Sequence, residues 1–295
     1  MSRLGALLLI SVASPALQAH QGQPLQPHDL WSAWPLDPGT VIPLLFAAIL
    51  YARGARRSRG ATRRQTICFW IGWIFLAAAL VSPLHSLGEA LFSAHMVQHE
   101  ILMLAAAPML VLSRPLAALV WGLPFSWRRT AGKWAKAGLI RSIWRCLTNQ
   151  VFAWCLHAAA LWIWHAPSLF QSTLSSEWAH AAQHASFLFT ALLFWWSLFY
   201  ARGRSGYGAA TLYLFTTAVH TSILGSLLTF ANSIWYPIYA LRSSTWRVNP
   251  LDDQRLGGLI MWIPAGFVYV AAMLATFSAW MRESEAMAAR SPYAD

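Results

Sequence analysis

The chain has 295 residues, 57% of them hydrophobic and only 11% charged, with 18 tryptophans. A water-soluble domain of this length needs more charge to cover its surface, so that class is excluded and an integral membrane protein is indicated. The formal net charge of +11 invites nucleic acid as a partner, but the positions of the charges exclude it.

In chain order, the opening MSRLGALLLISVASPALQA has one arginine, a short apolar core and small residues at its end. Residues 1–19 read as a secretory signal peptide, cleaved or kept as an anchor. Residues 20–33 form an outer N-terminal segment carrying His20 and His28. A transmembrane helical domain over 34–281 follows, an all-α bundle of about seven spans, each near the ~20 residues that cross a bilayer. The first span, 34–52, is interrupted by Pro35, Pro38 and Pro43. The others are 65–84, 91–113, 147–166, 178–200, 208–230 and 258–281, with a cytoplasmic tail over 282–295. The long outer loop 232–258 carries turn residues and two acids, Asp252 and Asp253, and is expected to fold over the outer mouth.

Charge sets the orientation. Seventeen basic residues fall in 53–64, 114–145, 202–204 and 282–290, against Arg242, Arg247 and Arg255 in the alternate loops. The rich side is cytoplasmic, which puts the mature N-terminus outside and the C-terminus inside a bacterial plasma membrane. Topology therefore accounts for the basic balance without nucleic acid. Tryptophan and tyrosine cluster at span ends, as an interfacial belt does. Cys68, Cys146 and Cys155 form no C-x-x-C pair and support neither an outer disulfide nor a thiolate site.

The ten histidines avoid the cytoplasmic side altogether. HMVQHE places His95 and His99 at the mouth of the third span, and HAAQHA places His180 and His184 at the mouth of the fifth. Residues four apart share a helix face, with Cβ atoms about 5–6 Å apart, so each pair can bind one metal ion. His95, His99 and Met103 continue one row, and Glu177, His180 and His184 make another; His157 and His165 share a face of the fourth span, and His220 lies near the middle of the sixth. Imidazole suits copper, zinc and iron, and a neighbouring thioether tilts the choice toward Cu(I). Gln98 and Gln183 repeat within the two motifs and are candidates to orient the imidazoles. A lone histidine near an interface is ordinarily a hydrogen-bonded structural residue, and His28 and His85 are read that way. HEILM is not H-E-x-x-H, no second E-x-x-H accompanies Glu177, and no Walker, Rossmann or G-x-S-x-G pattern occurs, which removes the enzymes those motifs mark.

The blocks HMVQHEILMLAAAPMLVLSRP, WHAPSLFQSTLSSEWAHAAQHASFLFTALLFWW and DDQRLGGLIMWIPAGFVYV together resemble the membrane-integral CtaG-type cytochrome c oxidase assembly proteins. The resemblance covers most of the chain from His95 to Tyr269. It implies a multi-helix inner-membrane protein that matures a haem–copper oxidase by supplying copper to its catalytic centre, with a periplasmic copper donor upstream. By that likeness His95, His99, His165, His180 and His184 match motif histidines, and Asp253 sits in the D-Q-x-x-G-G block. The expectation is a copper-binding assembly factor and not an enzyme. A membrane di-iron oxygenase, a b-haem carrier and a purely structural partner of the oxidase are the alternatives, and bound-metal analysis and a Soret band separate them.

Overall fold

The computed structural model describes residues 25–57, 61–200 and 206–288, with no strand among them. The expected signal peptide lies outside the described residues, as do residues 20–24 and 289–295. In chain order the helices are α1 (Pro38–Arg57), α2 (Arg63–Val81), α3 (Pro83–Ala90), α4 (Phe92–Leu112), α5 (Pro115–Gly122), α6 (Phe125–Lys136) and α7 (Gly138–Leu147). There follow α8 (Gln150–Trp164), α9 (Pro167–Ser175), α10 (Glu177–Tyr200), α11 (Gly206–Thr229), α12 (Ile238–Arg242) and α13 (Pro250–Ala288).

Five of these, α1, α2, α4, α11 and α13, are long and apolar enough to cross a membrane, and the pair α7–α8, bent by 64°, makes a sixth if counted as one broken span. The expected seven spans therefore stand at five or six by length and composition. The shortfall has two causes. Helix α8 has 15 residues, about 22 Å, against a hydrocarbon core of about 30 Å. Helix α10 has 24, but it buries His180, Gln183, His184, Thr190 and Ser197, polar groups that face the interior of a bundle instead of lipid.

The outward faces are apolar. Ile42, Leu45, Phe46 and Ile49 on α1 and Phe267, Val270, Leu274 and Phe277 on α13 are exposed at helical spacing, a stripe suited to hydrocarbon. The expected basic loop after the third span is in fact α5, α6 and α7. Neither α6 nor α7 buries a residue; Trp127, Trp134, Leu139 and Ile143 stay exposed among Arg128, Arg129, Lys133 and Arg141.

Helix α13 starts well before the expected residue 258, and the local chemistry explains it. Asn249 Oδ1 accepts the N–H groups of Leu251 at 2.9 Å and Asp252 at 3.4 Å. Pro250 opens the helix and two acids follow in the first turn, an arrangement that satisfies and complements a helix N-terminus. The early start brings the D-Q-x-x-G-G block into the bundle. Asp253 accepts the Phe92 N–H at 2.6 Å, the Ser93 N–H at 3.2 Å and the Ser93 hydroxyl at 2.5 Å. It thereby caps α4, the helix that carries His95 and His99. Gln254 accepts the Trp235 N–H at 2.7 Å and donates to Ser233 O at 3.2 Å, which ties down the loop before α12. A Cβ on Gly257 would lie 2.3 Å from the Phe92 ring, and one on Gly258 would lie 2.6 Å from Gly225 O on α11. Both positions need glycine because side chain or backbone already fills the space.

The expected folding of the 232–258 loop over the mouth is realised. Arg242 donates to Glu89 O and Leu174 O, both at 2.9 Å, and Trp246 Nε1 donates to Leu25 O at 3.0 Å. Tyr236 and Tyr239 drop fully buried rings beneath this cover. Tyr236 stacks on Phe92 with ring centroids 4.9 Å apart and packs on Phe170 at 4.3 Å. One end of the bundle is thus closed by an aromatic lid, and the other is ringed by arginine and lysine.

Candidate metal centre

Histidines from three helices converge under that lid. From α4 come His95 and His99, from α10 His180 and His184, and from α3 His85. Two groups of three offer donor atoms all within 4.8 Å of one another: His95, His99 and His184, all buried, and His85, His180 and His184, of which His85 is half-buried. The rings of His95 and His99 stand 4.4 Å apart and those of His180 and His184 4.3 Å, the short spacing that i, i+4 placement dictates. Across helices, His99 faces His184 at 5.2 Å and His95 faces His180 at 5.2 Å. His165, just past α8, brings its ring to 6.2 Å from His99 and stands at the edge of the cluster.

Neighbouring groups hold the rings in place. His95 Nδ1 faces Gly88 O at 3.3 Å and Tyr239 Oη at 3.2 Å, and Tyr239 itself donates to Gly88 O at 2.8 Å. A carbonyl only accepts, and Gln183 Oε1 likewise faces His95 Nε2 at 3.2 Å, so the neutral ring donates to one of the two oxygens and keeps a single lone pair on its other nitrogen. His165 Nδ1 donates to Leu161 O at 2.7 Å, which leaves its Nε2 free. Gln98 donates to Ala79 O at 2.7 Å and to His85 Nδ1 at 2.9 Å. Both motif glutamines thus touch histidine rings, as their repetition in the sequence suggests.

Within the cluster, five buried imidazole nitrogens have no partner: both of His99 and the Nε2 atoms of His165, His180 and His184. A buried polar atom left unsatisfied costs about 1–3 kcal/mol. Five in one place call for a shared occupant, and a cation accepts lone pairs from several imidazoles at once. Burial holds the His85 imidazole below its ordinary pKa, against the pull of Glu89 and Asp37, so it too is neutral and able to coordinate.

The other expected site residues lie elsewhere. Glu177 is exposed at the start of α10 and belongs to neither group. Met103 is a buried member of the apolar core, and its carbonyl accepts the Trp195 indole N–H at 2.8 Å. The π-helical stretch Ile101–Ala106 breaks the regular spacing of the His95, His99, Met103 row. Asp253 spends its oxygens on the α4 N-terminus. His157 is deeper, bonded through Nδ1 to Thr190 Oγ1 at 3.1 Å, and His220 packs edge-on to Trp154 at 5.4 Å. His85, Tyr236 and Tyr239 were not singled out by spacing. His85 has no histidine four residues away, and the tyrosines belong to a loop whose course only the tertiary fold reveals.

The chain is 26% identical over 265 residues to uncharacterized proteins of Mycobacterium bovis and Mycobacterium tuberculosis, covering 84% of this chain and 40% of each relative. It is 23% identical over 282 residues to one of Mycobacterium leprae, covering 90% of this chain and 43% of the relative. The chain thus spans about two fifths of the length of these curated relatives. No solved structure matches. Residues 49–283, nearly all of the described bundle and every clustered histidine, match the family described as cytochrome c oxidase caa3 assembly factor, and the chain belongs to that family.

Proposed function

We propose that this assembly factor binds copper in the histidine cluster and supplies it to a maturing haem–copper oxidase. The observation that carries the reading is the convergence of five unpartnered buried imidazole nitrogens from three chain segments. Such donors are neutral and exchangeable, unlike a closed thiolate cage, and suit an ion that must be both caught and released. His95, His99, His180 and His184 are the principal ligands, with His165 adjoining. Zinc or iron would satisfy the same nitrogens, and Cu(I) is favoured over them by the oxidase client. The role is delivery, not catalysis.

Orientation follows from charge. The histidine end is opposite the end bearing α6 and α7 with their arginines and lysines, and the positive-inside rule assigns the basic end to the cytoplasm. The cluster then lies toward the periplasmic side of the bacterial inner membrane, beneath the aromatic lid, with the C-terminus cytoplasmic. There a copper donor can load it, and an oxidase subunit in the same bilayer can receive the ion.

The test is metal quantification on the full chain purified from membranes and loaded with Cu(I). Copper is expected on the wild type and absent from the variant with His95, His99, His180 and His184 all changed to alanine. Equal copper on the two overturns the reading, as does a wild type that holds none.

A further inference from the structure

The two histidine trios share one member. His184 belongs both to the fully buried group with His95 and His99 and to the group with His85 and His180. We propose that a single copper ion occupies these two groups alternately, as an outer loading position and an inner holding position, with His184 bonded to it throughout. This rests on the copper reading above and deepens it.

The geometry favours alternation over two ions side by side. His184 has one buried ring nitrogen without a partner, Nε2, and one lone pair bonds one cation at a time. The rings on either side are close enough for ligand exchange without helix movement: His184 stands 4.3 Å from His180, 5.2 Å from His99 and 5.9 Å from His85.

The two positions differ in how deeply they are enclosed. His95 and His99 are fully buried, and the His95 ring is held between Gly88 O and Gln183 Oε1. An ion between them is shut away from solvent. His85 is the opposite. It sits on the short helix α3, half-buried, and its Nδ1 already accepts a hydrogen bond from the Gln98 amide at 2.9 Å. That bond puts the ring's own proton on Nε2, so copper taken at Nδ1 must displace Gln98 and returns the nitrogen to it on leaving. His85 is therefore a reversible ligand. The exposed Glu89 and Asp37 act on it electrostatically, two acids against the one cation, Arg242, that acts on His180, a balance that favours cations on that side.

The exchange is balanced. Bonds from copper to His85 and His180 break as bonds to His95 and His99 form; the bond to His184 persists, and neither electrons nor protons are transferred. Unloading runs the same steps backward.

The experiment uses the full chain in lipid nanodiscs with Cu(I) alone and follows loading from, and release to, a chromophoric Cu(I) chelator. The wild type is expected to saturate at one copper per chain. His85→Ala is expected to keep that stoichiometry while loading and release slow about tenfold, the scale on which neighbouring groups tune metal sites. His85→Asn, which keeps an acceptor for Gln98, is expected to slow equally and so separates lost ligation from lost packing. The variant with both His95 and His99 changed to alanine is expected to hold copper weakly and exchange it fast. Two coppers per wild-type chain overturn the proposal, as do wild-type exchange rates in His85→Ala or loss of its copper altogether. A wild type that binds no Cu(I) defeats the copper reading itself, a separate result.

Discussion

Histidines approach one another at two levels of this bundle, and only one level has the makings of a metal site. Under the lid, rings from α3, α4 and α10 converge until the donors of each trio lie within 4.8 Å. Deeper, His157 on α8 and His220 on α11 are near enough to interact electrostatically, yet no third donor joins them among the described residues. His157 has found Thr190 instead. The same side chain in the same apolar surroundings becomes a structural hydrogen bonder or a candidate ligand according to how many helices deliver one to the same point.

The strongest way to break that contrast is to remove the ring at the centre of the buried trio, since both His99 and the deeper His220 have two unpartnered nitrogens but only His99 has two neighbouring donors. His99→Ala is expected to weaken Cu(I) binding on the order of a hundredfold or more, since each ligand carries a large share of the binding free energy. Changing His157 and His220 together to alanine is expected to leave affinity within about threefold, because neither belongs to a trio. Chelator competition measures both. An equal loss in the two variants would erase the distinction between the levels.

Next in size is the cap that holds α4 in register. Asp253→Ala strands the buried Phe92 and Ser93 N–H groups and is expected to cost about 2–4 kcal/mol of stability. Asp253→Asn, which still accepts, should lose less. Thermal unfolding in detergent orders the pair. Gly258→Ala is expected to cost about 1–3 kcal/mol, since the added methyl meets Gly225 O, read by the same unfolding curve. Tyr239→Phe removes the hydroxyl beside His95 and should lower copper affinity by up to about tenfold with a stability loss near 1 kcal/mol. His28→Ala marks the floor. His28 is largely exposed beside Asp29, and no change in affinity or unfolding temperature is expected.

Much of this was legible in the chain because the relevant signals are local. Apolar length marked α2, α4 and α11 closely, and the i, i+4 repeats placed His95 beside His99 and His180 beside His184. What escaped is non-local. His85 meets its partners only because α3 folds against α4 and α10, and spacing along one helix carries no trace of that. Glu177 obeys the same arithmetic as His180 and His184 but points to the exterior, since periodicity cannot say where the buried arc ends. Met103 fell to a π-helical stretch that no residue type announces. Asp253 stands out in the sequence only through its D-Q-x-x-G-G block, and its partners are backbone amides some 160 positions away. The start of α13 is different in kind. N-P-L-D-D is a strong local helix-start signature, but hydropathy, which marks the span, rises only after it.

One consequence of the Asp253 cap concerns the order of synthesis. A nascent chain halted after α11 already contains all ten histidines, but the carboxylate that fixes α4, and the tyrosines that roof the pocket, have yet to leave the ribosome. Under the copper reading proposed above, a half-made chain is a poor captor of the ion. The arrival of α13 is what completes the pocket's walls.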